Sequence, residues 1–158
     1  MRKLIAYPLS TIYYLLFGCT LVIFHAIQWV CFNLFGYNAH KRSVDVLYFF
    51  LVANTYILGI RYKIKGLEKL PADTPLIIAS NHQSLYDIIT IGWYMRKAHP
   101  KFISKIELGK GIPSISYNLN HGGSVLINRK DAKQSLSAIR EMAQYLSLIH
   151  ISEPTRLA

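Results

Sequence analysis

Asn81, His82 and Asp87 are the residues of this chain best suited to chemistry. An imidazole accepts and releases protons near neutral pH, so His82 is a candidate general base. A carboxylate on its second ring nitrogen would fix the tautomer and stabilise the imidazolium that forms. Asp87 can supply that carboxylate if His82 just precedes a helix and Asp87 lies in its first turn. A plainer role competes with this one. Ser84-x-x-Asp87 also has the form of a capping box, in which Asp87 serves only the helix and His82 is a structural group. The spacing alone leaves the two open. As metal ligands the pair lacks a third partner nearby, so no metal is expected.

Holding these residues in place requires a strand and a helix. Residues 76–79 are a short apolar run between breakers, with Pro71, Asp73 and Pro75 ahead of it. Such a run predicts a buried strand. A helix is predicted over 84–96, with Leu85, Ile88, Ile89 and Met95 on one face. The candidate pair would then lie beyond the carboxyl end of a strand, where sites form in open α/β sheets. Residues 61–65 alternate polar and apolar, and 101–104 and 124–128 are further strand candidates. A last helix starts near Asp131, with Asp131-x-x-Gln134 as a capping pair. Its stripe of Ala132, Leu136, Ile139, Ala143 and Leu146 predicts ordinary core packing. The alternation of strands and helices predicts an α/β domain over 61–147: a mixed, incomplete sheet flanked by helices.

The front end differs in kind. No Asp, Glu, Lys or Arg occurs from Leu4 to His40. The apolar run over 9–35 exceeds the roughly 20 residues a membrane span needs, and a second run over 46–60 is marginal. Together they predict a membrane-anchoring helical hairpin over 1–60, with a polar turn near 37–45. Tyr7, Tyr13, Tyr14, Trp29 and Tyr37 would sit at headgroup level. The first run is too long for a signal peptide and ends in no cleavage site. Cys19 and Cys31 lie inside it, read as small apolar side chains. The lack of a disulfide framework fits a domain facing a reducing cytoplasm. Basic residues at both ends of the run leave the orientation unset by charge. His25 and Gln28 are expected to be buried polar groups of this segment.

The formal net charge is +10, from 18 Lys and Arg against 8 Asp and Glu. That balance points to anionic partners, and the apolar front end favours lipid over nucleic acid. Arg96, Lys97, Lys101 and Lys110 are expected to form a basic rim toward anionic lipid, at ~1 kcal/mol each near a charged surface. Gly109, Gly111 and Pro113 would shape a loop. His99 and His121 have no assignable partner.

Asn81-His82 followed by four residues and Asp87 resembles the first signature of the glycerolipid acyltransferases of the 1-acylglycerol-3-phosphate type. The lead-in Gly66-Leu67-Glu68-Lys69-Leu70-Pro71 is similar as well. A second block follows in order: Lys105-x-Glu107-Leu108, Pro113, Gly123, then Val125-Leu126-Ile127-Asn128-Arg129. The chain departs from the family at Ser116, where Gly is usual, and at Asn128, where Asp is usual. The family's third block would follow the last helix. Ile151-Ser152-Glu153-Pro154-Thr155-Arg156 resembles it only superficially, with Pro154 in place of a Gly that Pro cannot mimic. Residues 148–158 read as a non-native tail, and no role is carried onto Glu153 or Arg156.

The resemblance implies transfer of a fatty acyl group from acyl-CoA or acyl carrier protein to the hydroxyl of lysophosphatidate, giving phosphatidate. Glycerol 3-phosphate or another lysophospholipid is the alternative acceptor. A different class of reading is a non-catalytic, basic membrane-binding fragment. In the enzymatic reading His82 and Asp87 are catalytic. Arg129 and then Lys105 hold the acceptor's phosphate, and Asn81 and Gly123 belong to the same site. No cofactor beyond the thioester co-substrate is implied. The implied partners are membrane lipid, the thioester donor and the lysophospholipid acceptor.

Overall fold

The computed structural model describes residues 2–71, 76–81 and 83–152. Helix α1 runs over Arg2–Phe35, 34 residues, or about 51 Å at 1.5 Å per residue. Gly36 follows with φ 78°, a left-handed value that lets the chain reverse at a single residue. Helix α2, Tyr37–Thr55, then returns along α1. The pairing is antiparallel. Phe32 meets His40 at 5.6 Å between ring centroids, Phe24 meets Phe50 at 5.7 Å, and the Asn54 amide donates to Thr20 Oγ1 at 3.1 Å. The buried seam is Leu21, Phe24, Val44, Leu47, Leu51 and Val52. The outer face of α1 stays exposed, with Tyr7, Leu15, Val22, Leu34 and Phe35 all more than half accessible. Among the described residues Ala6–Phe35 is the one helix long and apolar enough to cross a membrane. The second apolar run is helical only to Thr55 and then tightens into a short 3₁₀ turn, Tyr56–Leu58.

Helix α3, Leu85–Tyr94, lies against this hairpin. Ile89 joins the seam, and Gly92 sits directly over the Tyr48 ring. A Cβ at Gly92 would stand 2.6 Å from ring carbons of Tyr48, so only glycine permits this approach. A 3₁₀ turn, Arg96–Ala98, continues the expected helix at its C-terminal end.

Two strands follow, β1 at Ile103–Lys105 and β2 at Val125–Ile127. They pair in parallel, Ile103 with Val125, Ser104 with Leu126 and Lys105 with Ile127. Between them lies helix α4, Ile115–His121. Helix α5, Ala132–Ser152, follows and packs on β2. The chain is therefore mostly helical around a small parallel sheet, in keeping with an α/β arrangement.

Three expectations are corrected. Residues 61–65 and 76–79 form no strand, and Ile77 is 89% exposed where a buried position was expected. A strand needs a ladder partner, and none lies beside either segment among the described residues. The sheet there has two strands and is parallel rather than mixed. The stripe of α5 is also not core: Leu136 is 51% and Ile139 45% exposed, and Ala138 is the buried position. That face has no covering element among the described residues. Of the tail, 148–152 continue the backbone of α5, and 153–158 lie outside the described residues.

Helix α4 was not anticipated, since Ser, Tyr and Asn favour helices weakly. Its position comes from a polar grip by α1. Ser114, fully buried with φ 63°, donates its N–H to His25 Nδ1 at 3.1 Å and its hydroxyl to Gln28 Oε1 at 2.9 Å. The Asn33 amide donates to the Tyr117 hydroxyl at 3.2 Å. The polar residues of the otherwise apolar α1 are thus the dock of α4.

Candidate active site

The start of α3 is built by local sequence. Ser84 is the N-cap, and its hydroxyl accepts from the Tyr86 N–H at 3.2 Å. Asp87 reaches back in the first turn, and its Oδ2 accepts the N–H of Ser84 at 2.9 Å and of Gln83 at 2.7 Å. This is the reciprocal capping box anticipated from Ser84-x-x-Asp87. The bonds have a second effect. They draw the backbone of Gln83 and Ser84 around one carboxylate, so Asp87 is fixed at the start of α3. The negative charge also sits at the positive end of the helix. His82 itself lies outside the described residues. Asn81 is exposed.

Tertiary contacts set the direction of that helix start. The Tyr86 ring meets Tyr13 of α1 at 6.1 Å, and Trp93 meets Phe49 of α2 at 5.2 Å. Arg96 does not reach outward as a free rim charge. Its guanidinium lies 4.0 Å over the Trp93 ring and donates to the Trp93 carbonyl at 2.9 Å.

The two candidate phosphate ligands come from the strand pair. Lys105 closes β1 and is paired with Ile127, the last residue of β2; Arg129 follows two residues later, in the turn after the strand. Because the strands are parallel, both cations emerge at the carboxyl end of the sheet, and both are exposed. The ladder therefore places Lys105 and Arg129 at the same end of the strand pair. Asp87 is held separately, on the hairpin side. Gly123 sits at the opposite, amino end of β2, with φ 80° and the Lys101 side chain against it.

The loop between the strands is tied by side chains. Ser116 accepts from the Ile112 N–H at 3.0 Å and donates to the Leu108 carbonyl at 2.9 Å. Gly109 lies so close to β2 that a Cβ there would stand 2.5 Å from Leu126. After β2, Asp131 Oδ1 accepts from the Gln134 N–H at 3.0 Å, the expected half of the capping pair. Gln134 does not return the bond. Its amide takes the outer edge of β2 instead, accepting from the Asn128 N–H at 2.9 Å and donating to the Leu126 carbonyl at 3.3 Å.

A model of the acyltransferase family matches residues 61–152, more than half of the chain and the whole stretch just described. The chain belongs to the acyltransferase family. It is 30% identical over 106 residues to sheep 1-acyl-sn-glycerol-3-phosphate acyltransferase alpha, covering 66% of this chain and 36% of that protein. It is 35% identical over 101 residues to a chloroplastic 1-acyl-sn-glycerol-3-phosphate acyltransferase of Arabidopsis thaliana, covering 61% and 28%. It is 37% identical over 100 residues to the 1-acyl-sn-glycerol-3-phosphate acyltransferase of Helicobacter pylori, covering 58% and 40%. The chain thus spans about a third of the length of the curated relatives it matches. No solved structure matches it. Sequence reasoning missed the meeting of Tyr37, from α2 of the hairpin, with His99 and Lys101 at the amino end of the strand pair. Lys101 had been assigned to the basic rim, and nothing local marks it otherwise.

Proposed function

We propose that the chain carries the first two blocks of a membrane-bound acyltransferase that acylates lysophosphatidate to phosphatidate. The acyl donor is a thioester, acyl-CoA or acyl carrier protein. The observation that carries the reading is the carboxylate of Asp87 fixed at the start of α3, five residues after His82 in sequence, on a chain of this family. His82 removes the proton of the glycerol hydroxyl as its oxygen attacks the thioester carbonyl. Asp87 holds the ring and stabilises the imidazolium. Collapse of the tetrahedral intermediate breaks the carbon–sulfur bond, and the leaving thiolate takes the proton back from His82. Asn81 or an amide at the start of α3 stabilises the oxyanion. Arg129, with its planar fork, and Lys105 hold the acceptor's phosphate at the carboxyl end of the strands. Gly123 shapes the lead-in to that strand. Helix α1 anchors the chain in the bilayer, its exposed apolar face toward lipid, with the catalytic part toward the cytoplasm.

The capping box favours one second reading, in which Asp87 only starts a helix and the chain is a basic membrane-binding module. His82→Ala separates them, because acyl transfer needs the imidazole and the membrane-binding module does not. Acyl transfer predicts a turnover loss of ~10²–10⁴-fold with an unchanged melting temperature. Measuring phosphatidate formation in membranes carrying each variant decides it. Equal turnover in the variant would leave only the binding module. Chromatography of products from a panel of acceptors separates lysophosphatidate from glycerol 3-phosphate and other lysophospholipids.

A further inference from the structure

Three residue pairs make up the whole parallel ladder of β1 and β2. The register of so short a ladder is weakly specified, and a slip of one residue turns every side chain to the other face. Its amino end carries a lock that is not part of the ladder. Lys101, two residues ahead of β1, extends across the lead-in of β2 and donates to the Gly122 carbonyl. The same ammonium meets the Tyr37 hydroxyl in the first turn of α2, and His99 Nε2 at 3.0 Å. Tyr37 also lies 2.9 Å from His99 Nε2. Three N–H donors thus face three acceptors from three parts of the chain, a phenol, an imidazole and a carbonyl. Gly123, with φ 80°, turns the chain into β2 beside this side chain, a conformation that favours glycine. The next residues complete the junction: the Phe102 N–H donates to Ser124 Oγ at 3.3 Å, and the Val125 N–H to the Phe102 carbonyl at 2.9 Å.

We propose that Lys101 is a positioning residue: by tying Gly122 to Tyr37 it fixes the register of β1 on β2, and so the spacing of Lys105 and Arg129 at the far end. The ladder transmits the constraint directly, because Lys105 is the partner of Ile127 and Arg129 lies two residues on. The same bonds join the strand pair to α2, alongside the grip of α1 on α4. The catalytic consequence rests on the acyl-transfer reading; the lock does not.

Hydrogen exchange on the 158-residue chain in detergent micelles tests the lock. Lys101→Met and Tyr37→Phe should each speed exchange of the β2 amides about five- to tenfold, the loss expected for one net hydrogen bond. The double variant should go no further, and the buried turns of α2 should keep their protection. Unchanged β2 amides in both single variants would overturn the proposal, as would equal acceleration in the hairpin and the ladder. If Lys101→Met does not fold, Tyr37→Phe alone decides. In active membranes, Lys101→Met should raise the KM for lysophosphatidate about fivefold, again the scale of one hydrogen bond. The thioester KM should stay constant and kcat should stay within about twofold. A fall in kcat at unchanged acceptor KM would assign Lys101 a merely structural role. Should the unsubstituted chain transfer no acyl group, the acyl-transfer reading fails and the exchange experiment still judges the lock.

Discussion

The ladder of β1 and β2 carries cations at both ends, and the two ends treat them differently. At the amino end Lys101 is drawn inward among Tyr37, His99 and the Gly122 carbonyl. Burial, followed by the nearby charge of Lys41, lowers its amine from the usual lysine value to about 8, with Asp45 opposing. His99 beside it is lowered to about 3, first by burial and then by the charges of Lys101 and Lys41. At the carboxyl end Lys105 and Arg129 stay in solvent, with their charge free for a ligand. A cation in a small domain can hold structure or hold a ligand. Here one end partly buries its cation and the other leaves its cations exposed.

The sharpest attack on this contrast is at the carboxyl end. Arg129→Ala should raise the acceptor KM by ~10- to 100-fold, as loss of a charge-assisted contact costs about 1.5–3 kcal/mol. Thermal unfolding should barely move, and a large drop in melting temperature would make Arg129 structural like Lys101. At the amino end, Gly123→Ala forces a left-handed φ on a side chain beside Lys101. A loss of about 1–2 kcal/mol in unfolding free energy is expected. Unaltered stability would mean that the lock carries no load.

Titration reads the same end more gently. The His99 value in the fold is below its unfolded value of 6.5, so between about 3 and 6.5 the unfolded chain binds the extra proton. Stability contributed by neutral His99 is therefore present above about 6.5 and is lost as the pH falls toward 3. The groups that face His99 are Lys101, Lys41, His40 and Tyr37, with Asp45 lining the same small cavity. His99→Gln should flatten the acid limb of a melting-temperature profile, and an identical limb in the variant would place the acid-sensitive group elsewhere. The smallest effect is expected from Lys105→Ala, a rise in acceptor KM of less than about fivefold, since an exposed lysine gains little from one contact.

What the sequence revealed was local or block-like. The capping box of Ser84 and Asp87 was legible because all its partners lie within five residues. Two helices were legible from the two apolar runs, but not their turn: the chain reverses at Gly36, and 37–45, expected as a polar turn, form the first half of α2. Arg129 and Lys105 were expected near strand ends, and both lie at the carboxyl end of the ladder. The rest depends on partners far along the chain. Residues 76–79 have the composition of a buried strand, yet lack a neighbour to make them one. Helix α4 exists through His25, Gln28 and Asn33, which are more than eighty residues away in sequence. Lys101 resembles every other surface lysine until Tyr37, 64 residues earlier, is folded against it. His82 falls outside the described residues, so the central element of the site still rests on the motif.

Gln134 has a consequence for how the sheet can grow. From a helix it occupies one donor and one acceptor slot on the outer edge of β2. A newcomer strand on that side must evict the glutamine first, and it gains only what the glutamine gives up. The same plug makes β2 a poor template for a second polypeptide, so that flank is guarded against sticking. Accretion is easier along β1, which has no strand on its far side among the described residues.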